Sequence, residues 1–229
     1  MKICAVIIPA WNCAEYIMEC VKSVQLQFPI SDWKYEIRIG VDGCQKTANI
    51  LNINKIPYYW SAQNVGVYIM RNSLMLMKPA DAYAYFDADD KMEPLYLNCS
   101  LRYIHQTGIV MTAKINCDEH LKPRTGAVIE AGGAMTFTHE VLQSVGGFAP
   151  YRCAADTDFM KRVGMAGFKI TEIKEGLYLR RHHSGALTRA KDTGMGSPYR
   201  KKSWAEMTDQ RNKGIIKISP VVTKLEKFC

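Results

Sequence analysis

The chain has 229 residues, 48% of them hydrophobic and 23% charged, a composition that suits one ordinary globular domain, or one domain with an appendage. No apolar run approaches the roughly 18 residues of a membrane span, and there is no internal repeat or low-complexity tract, which excludes membrane-spanning, solenoid and disordered classes. The net charge of +8 is segregated: residues 1–179 hold 18 basic and 18 acidic side chains, whereas residues 180–229 hold 12 and 4.

Lys2 to Ile8 reads as a buried first strand. It faintly imitates a signal peptide, but it is short, contains Pro9 and lacks a small-residue cleavage site. Asn12 is placed to cap a helix whose apolar residues Ile17, Val21 and Val24 recur at helical spacing. Tyr35 to Val41 is a second strand, ended by the Asp42-Gly43 turn. Pro57 to Trp60 is a short third strand, and Val65 to Met77 is helical in pattern. A strand over 82–87 and a helix from about Pro94 to His105 follow. Strand and helix alternate through these residues, the pattern of a parallel sheet with crossover helices. In such sheets ligands gather at the carboxyl ends of the strands. Pro9 to Asn12, Asp42-Gly43 and Asp87 to Asp90 all fall at such ends.

The second half is less regular. Ile109 to Ile115 and Ala134 to Phe137 read as strands, separated by a loop with Pro123, Arg124 and Gly126. Thr138 to Val145 is a short helix that stops at Gly146-Gly147. Asp156 begins a helix to Val163, as its cap, with Asp158 in the first turn. Phe168 to Ile173 and Leu177 to Leu179 are further strands. Beyond Arg189 the chain turns polar and rich in Gly and Ser, as a linker or mobile arm would. The eight cysteines are scattered singly, with no C-x-x-C pair, which points to reduced thiols and a cytoplasmic setting.

The densest chemistry lies in DAYAYFDADDKMEP, residues 81–94. Small residues alternate with aromatics to Phe86, and three carboxylates follow: Asp87, Asp89 and Asp90. Acids so close repel unless a cation neutralises them, and a hard divalent ion with oxygen ligands does so while also holding a diphosphate. Asp90, with Glu93 three residues on, fits a helix cap. Asp87 and Asp89 precede that cap and are the candidates for the metal site.

Taken in order, these segments resemble a family 2 glycosyltransferase of the GT-A fold over residues 3–188. VIIPAWNCAEYI resembles the family's opening V-I-I-P-x-Y-N, with Trp11 for the common Tyr. IGVDGCQKT keeps Asp42 and Gly43 of D-D-G-S-x-D. QNVGVYIMRNSLM matches N-x-G and R-N through Asn64, Gly66, Arg71 and Asn72. YFDADD carries the D-x-D. GGAMTFTHEVLQSVGGF leads to the family's G-G-F, CAADTDFMKRV stands where G-E-D-x-D is usual, and LRRHHSGALT resembles Y-R-x-H-x-x-S-L-T.

The resemblance implies an α/β fold, a Rossmann-like and mainly parallel sheet flanked by helices. It would span residues 1–189, with a nucleotide-sugar half at 1–106 and an acceptor half at 107–189, followed by a basic extension at 190–229. It implies transfer of a sugar, with inversion, from a nucleotide diphosphate, a UDP-sugar being favoured, to an acceptor hydroxyl. Asp89 would ligate Mn2+ or Mg2+, joined by His182 or, given one extra residue before Leu187-Thr188, by His183. Asp87 would touch the ribose or the metal's water shell, Asp42 would hydrogen-bond the nucleobase, Asn64 and Ala88 would also bind the donor, and Pro9, Ala10, Trp11 and Asn12 would line the pocket. Arg71 would reach the diphosphate; otherwise it is a surface helix residue. Asp156 would be the general base, although Ala155 replaces the glutamate that usually precedes it. Asp158 reads as structural.

The extension holds Arg200, Lys201 and Lys202 between Tyr199 and Trp204. Interleaved aromatic and basic residues suit a polyanion such as DNA or RNA, or an anionic membrane surface touched peripherally. In the plainer alternative Tyr199 and Trp204 pack back on the domain. The family habit favours a glycan or lipid-linked saccharide as acceptor. The segregated charge favours DNA, with sugar added to a hydroxymethylated pyrimidine. A non-catalytic binder is a third reading, against which the D-x-D and Asp156 argue.

Overall fold

The computed structural model describes residues 1–125 and 130–229. Among them runs a nine-stranded sheet in the order β5-β8-β6-β7-β4-β1-β2-β3-β9. β1 (Lys2–Ala10) lies at its centre, parallel to β2 (Trp33–Asp42) and β4 (Ala82–Tyr85), and β3 (Tyr58–Ser61) is parallel to β2. β1 has no polar side chain after Lys2 because both of its faces are covered. Cys4, Val6 and Ile8 face one core with Ile17, Val21 and Leu101, and Ala5 and Ile7 face the other with Met70, Leu74 and Phe137. Each such aliphatic side chain contributes about 1.5–3 kcal/mol by leaving water. Pro9 is tolerated in this central strand because pairing with β4 stops at Ile7–Tyr85, so its missing N–H leaves no gap in that ladder.

Helices α1 (Ile17–Gln25), α2 (Gln45–Ile53) and α4 (Tyr96–Thr107) cover the first face, and α3 (Val67–Leu76), α5 (His139–Val145), α6 (Ala155–Met165) and α7 (Pro198–Asn212) the second. The second half joins the sheet through β7 (Glu130–Thr138), antiparallel to both β4 and β6 (Ile109–Cys117). β8 (Ile170–Arg181) runs parallel to β6, and β5 (Lys91–Met92) pairs antiparallel with β8.

Several expectations change. The two strands read at 168–179 are one, because register shifts opposite Thr112–Lys114 absorb the break in pattern. α2 and β5 were not legible: α2 buries only Thr47, Ala48 and Leu51, too few for a clear stripe. Asn12 does not cap α1, which begins five residues later after Tyr16. Asp90 does not cap α4, whose N-cap is Leu95, and α6 is preceded by Ala154 rather than Asp156. Gly126 of the expected loop lies outside the described residues.

The extension is no free arm. α7 starts at Ser197, whose hydroxyl accepts the Arg200 N–H, and lies against α6, where Asp158 is held between Arg162 and Arg211. From there the chain crosses the α5–α6 turn. Ile218 N–H donates to Val145 O, Asn72 Nδ2 to Val221 O and Thr223 N–H to Ser73 Oγ. Gly146 permits this crossing: its φ is +79°, and a Cβ there would lie 1.9 Å from Ile218 O. The chain ends as β9 (Glu226–Phe228), antiparallel to β3, with Phe228 stacked on Tyr58 at 5.3 Å. All eight cysteines are free thiols. No helix among the described residues is long and apolar enough to cross a membrane.

Candidate active site

The carboxyl ends of β1, β2 and β4, with the N-termini of α3 and α6, bring most of the expected residues to one edge. Pro9 and Ala10 are buried at the end of β1, and Trp11 and Asn12 lie exposed beyond it, Asn12 with a φ of +51°. Asp42, at the end of β2, is 3% exposed and uses both carboxylate oxygens on backbone amides, accepting Val65 N–H at 2.7 Å and Gly66 N–H at 2.9 Å. Burial raises its pKa, and the two amides with Arg152 draw it back. Asp42 is therefore an anchor for the loop that carries Asn64 and opens α3. Gly43 lets that loop come close: a Cβ on it would lie 2.8 Å from Asn64 N.

Arg71 is not a surface residue. It is 3% exposed on the sheet side of α3, pairs with Asp87 at 2.5 Å and lies 4.0 Å from the Tyr85 ring centroid, with Tyr68 and Phe148 also around it. Burial opposes its charge, but Asp87, Tyr85, Tyr68 and Asp156 outweigh that and raise its pKa. Asp87 keeps 47% of its side chain exposed. Desolvation raises its pKa, Arg71 lowers it, and Asp89 and Asp156 raise it again. Among the described residues, Arg71 Nε and the Tyr85 hydroxyl are buried without a hydrogen-bond partner, the condition expected where a bound group completes a site.

Asp156 sits in the first turn of α6 and closes the far side. Its Oδ1 accepts the Tyr68 hydroxyl at 3.0 Å and its own neighbour's amide, Thr157 N–H, at 2.9 Å. Asp158 is elsewhere: it is buried between Arg162 Nε, at 2.8 Å, and Arg211, and has a structural role.

Beyond Phe86 the chain turns through buried Ala88, which places Asp89 and Asp90 on different tasks. Asp89 Oδ2 lies 2.8 Å from His183 Nε2. Asp90 is 6% exposed and accepts the Arg181 N–H at 2.8 Å, while burial, then Asp89 and Asp87, push its pKa well up. Of the two histidines, His183 is the one at Asp89. His182 turns to Asn116 Oδ1 at 3.0 Å, as adjacent residues of an extended segment must face apart. The motif favoured His182, with His183 as the alternative opened by one extra residue before Leu187-Thr188, and it is His183 that lies beside Asp89.

Arg181, in the LRRHH segment, organises this corner, a role its sequence pattern does not reveal. Its guanidinium donates to Asp89 O at 2.7 Å, to Glu119 O and to Glu19 Oε2 at 2.5 Å, and it lies 4.5 Å from the Tyr16 ring centroid. Tyr16 in turn faces the His183 ring at 4.9 Å and donates to Glu119 Oε1 at 3.0 Å. Tyr68 and Tyr85 were also missed, being hidden in a helix and a strand pattern that core packing explains equally well.

The residues expected to grip a polyanion are not gathered into one patch. Arg200 Nε donates to Thr193 O at 2.9 Å, Lys201 and Lys202 are exposed on α7, and Trp204 packs into the second core with Lys161 4.6 Å from its ring centroid. A hollow of about 390 Å³ around Gly108, Thr138 and Phe168 lies at the opposite end of the sheet and gathers none of these groups.

Among the described residues no group of three His, Cys, Asp or Glu side chains is placed to hold a metal ion. The protein offers a divalent cation two groups, Asp89 and His183. That set fits an ion that keeps waters and takes its other oxygens from a substrate diphosphate, and it does not fit a closed structural site.

The family model for glycosyl transferase family 2 matches residues 5–159. No curated protein matches the chain by sequence. Among solved structures, residues 1–349 of S. aureus TarS in complex with UDP-GlcNAc share the fold at a TM-score of 0.67 and 15% identity, covering 81% of this chain and 60% of that one. The mannosyltransferase PcManGT from Pyrobaculum calidifontis, in complex with GDP-Man and Mn2+, aligns at a TM-score of 0.67 and 13% identity, covering 94% and 68%. The chain thus spans about 60% of the length of the TarS structure. With the family model matching more than half of its residues, the chain belongs to glycosyl transferase family 2.

Proposed function

We propose that the protein is an inverting, metal-dependent glycosyltransferase of GT-A architecture that moves a sugar from a nucleotide diphosphate to an acceptor hydroxyl. The observation that carries this reading is the meeting of Asp156, Tyr68, Arg71, Asp87, Asp89 and His183 at one edge of the sheet, from four separate segments of chain. Pro9 to Asn12 and Asn64 would line the nucleoside pocket, with Asp42 fixing its wall through the 65–66 amides. UDP remains the favoured nucleotide. Arg71, with its unpartnered Nε, and the exposed Arg152 beside Gly66 would meet the diphosphate.

Asp89 and His183 would hold Mn2+ or Mg2+, which when bound supplies Lewis-acid charge to the departing diphosphate. Asp156 would take the acceptor's proton. Tyr68 and the Thr157 amide both bind Oδ1 and so fix the carboxylate, leaving Oδ2 for the hydroxyl. Tyr68, whose hydroxyl holds Asp156, packs its ring on Phe148 at 5.6 Å. The acceptor half is formed by β6 to β8 and α6, with the basic extension packed behind it.

The test is a panel of nucleotide sugars with Mn2+, read by calorimetric binding and by mass of the products. One donor should bind and turn over. Absence of any metal-dependent donor binding would leave a family scaffold without the activity.

A further inference from the structure

Beside the reaction centre lies a concentration of positive charge that sugar transfer itself does not use. Asn116, near the end of β6, is its node. Its register partner on β8 is Arg180, its carbonyl accepts the Arg124 N–H at 3.0 Å, and its side chain meets His182. Lys114 lies two residues earlier on the same side of β6. Arg189 completes the group from the loop after β8, which folds back on His183: Ala186 N–H donates to His183 O at 3.4 Å and Arg189 N–H to Ala186 O at 2.8 Å. Arg181, next to Arg180, donates its N–H to Asp90 and its Nε to Asp89 O, so the basin borders the reaction centre.

This basin is built, not incidental. Thr193 Oγ1 donates to Leu187 O at 3.0 Å, Met195 N–H to Thr188 O at 3.1 Å and Arg200 Nε to Thr193 O at 2.9 Å, which fixes the loop that carries Arg189. Arg200 thus serves the basin by positioning rather than by contact. Arg124 and Arg189 are exposed and Arg180 is half-buried, and among the described residues none of these three guanidiniums makes a hydrogen bond or ion pair. Cations held together this way repel one another until an anion arrives.

A neutral glycan offers these groups hydroxyl acceptors but no opposite charge. A single phosphate would occupy one or two guanidiniums. A row spanning the ends of β6 and β8, the 124 turn and the 189 loop suits a chain of phosphates. Arg180 and Arg189 belong to residues 180–229, which hold the protein's whole excess charge, and Tyr199, 38% exposed beside Arg200, offers a ring on which a base can stack.

We propose that this basin holds the phosphate backbone of a nucleic acid, one of whose bases carries the acceptor hydroxyl presented to Asp156. The proposal rests on the transferase reading for its chemistry. The base's hydroxyl oxygen forms the new bond to the sugar's anomeric carbon and gives its proton to Asp156 Oδ2. The bond from that carbon to the donor's diphosphate breaks, and its electron pair leaves with the nucleoside diphosphate. A base in a duplex must leave the stack to reach the site.

The experiment is fluorescence anisotropy of labelled, unmodified 20-mer oligonucleotides, single-stranded and duplex, titrated with the whole protein at 50–200 mM salt. Each basic contact adds about 0.7 (single strand) or 0.9 (duplex) to the slope of log affinity against log salt. Arg124→Gln with Arg189→Gln should therefore lower the slope by about 1.4–1.8, and Arg124→Lys with Arg189→Lys should keep it. Lys34→Gln with Lys169→Gln removes the same charge at the opposite end of the sheet and should leave the slope as in wild type. Equal slopes for both glutamine pairs would overturn the basin. A polyol-phosphate chain of matched charge that binds as tightly as the oligonucleotide would overturn the nucleic-acid assignment. Donor binding is measured in parallel by calorimetry. Its loss alongside intact, basin-dependent oligonucleotide binding would refute the transferase reading and leave the basin standing.

Discussion

Arg181→Lys is the substitution in which packing and function are most closely joined. The guanidinium reaches three acceptors on three segments: Asp89 O at 2.7 Å, Glu119 O and Glu19 Oε2 at 2.5 Å. An ammonium at the same place keeps the charge but can satisfy one of them, since it lacks the planar fork. A hydrogen bond from a charged donor contributes about 1.5–3 kcal/mol, so two lost bonds come to about 3–6 kcal/mol. The Glu19 side chain is 48% exposed, and solvent replaces much of its share, which leaves about 2–4 kcal/mol. For a chain of this length each kcal/mol moves Tm by about 2–4 °C, giving a fall of roughly 4–16 °C. Scanning calorimetry of the metal-free protein reads this directly. A Mn2+ titration of the same variant should show affinity reduced about 10–100-fold, as expected when support behind a ligand is lost. A variant with the wild-type Tm and wild-type Mn2+ affinity would refute the role of Arg181 as the tie between Asp89 and its surroundings.

Tyr68→Phe keeps the ring beside Arg71 and removes only the hydroxyl that holds Asp156; steady-state kinetics should show kcat down on the order of 10-fold with donor KM unchanged. Glu36 pairs with buried Arg38 at 3.0 Å and with Lys78 at 2.8 Å. Desolvation raises its pKa, but the two cations overcome that and hold it below the usual carboxylate value. Its stabilisation is therefore full above the unfolded carboxylate pKa and lost as pH falls through the lower folded one. Glu36→Gln should cost about 1–2 kcal/mol at pH 7, and the difference in denaturant midpoint should close toward pH 3. Gly146→Ala places a Cβ 1.9 Å from Ile218 O at a φ of +79°; a loss of about 2–4 kcal/mol is expected in urea unfolding, with amide exchange quickening first around 218–223.

Apart from α2 and β5, the first hundred residues were legible because their signals are local: an unbroken apolar run in AVII, a period of two in AYAY, helical spacing in α1, and turn residues at strand ends. The joining of 168–173 and 177–179 into β8 was not, because its continuity is set by register against β6 rather than by its own pattern. The caps assigned to Asn12, Asp90 and Asp156 failed for a related reason. Each acid or amide had the right spacing for a cap, but long-range partners claimed the acids: Arg181 took Asp90 and Tyr68 took Asp156. The extension read as an arm since its composition is polar, yet scattered apolar residues such as Met207, Ile218 and Phe228 suffice to dock it on a preformed surface. In the site, Asp89 and Arg71 are marked by the D-x-D and R-N motifs. What Asp42 binds, and which histidine meets Asp89, depended on backbone direction at strand ends.

The central claim is that Asp156 receives the acceptor's proton in a site that binds a nucleotide sugar. Its most direct test is donor turnover by Asp156→Asn, with donor affinity measured on the same preparation. The account predicts wild-type donor affinity and transfer slowed about 10²–10⁴-fold. Transfer at the wild-type rate by a variant that binds donor normally would contradict it.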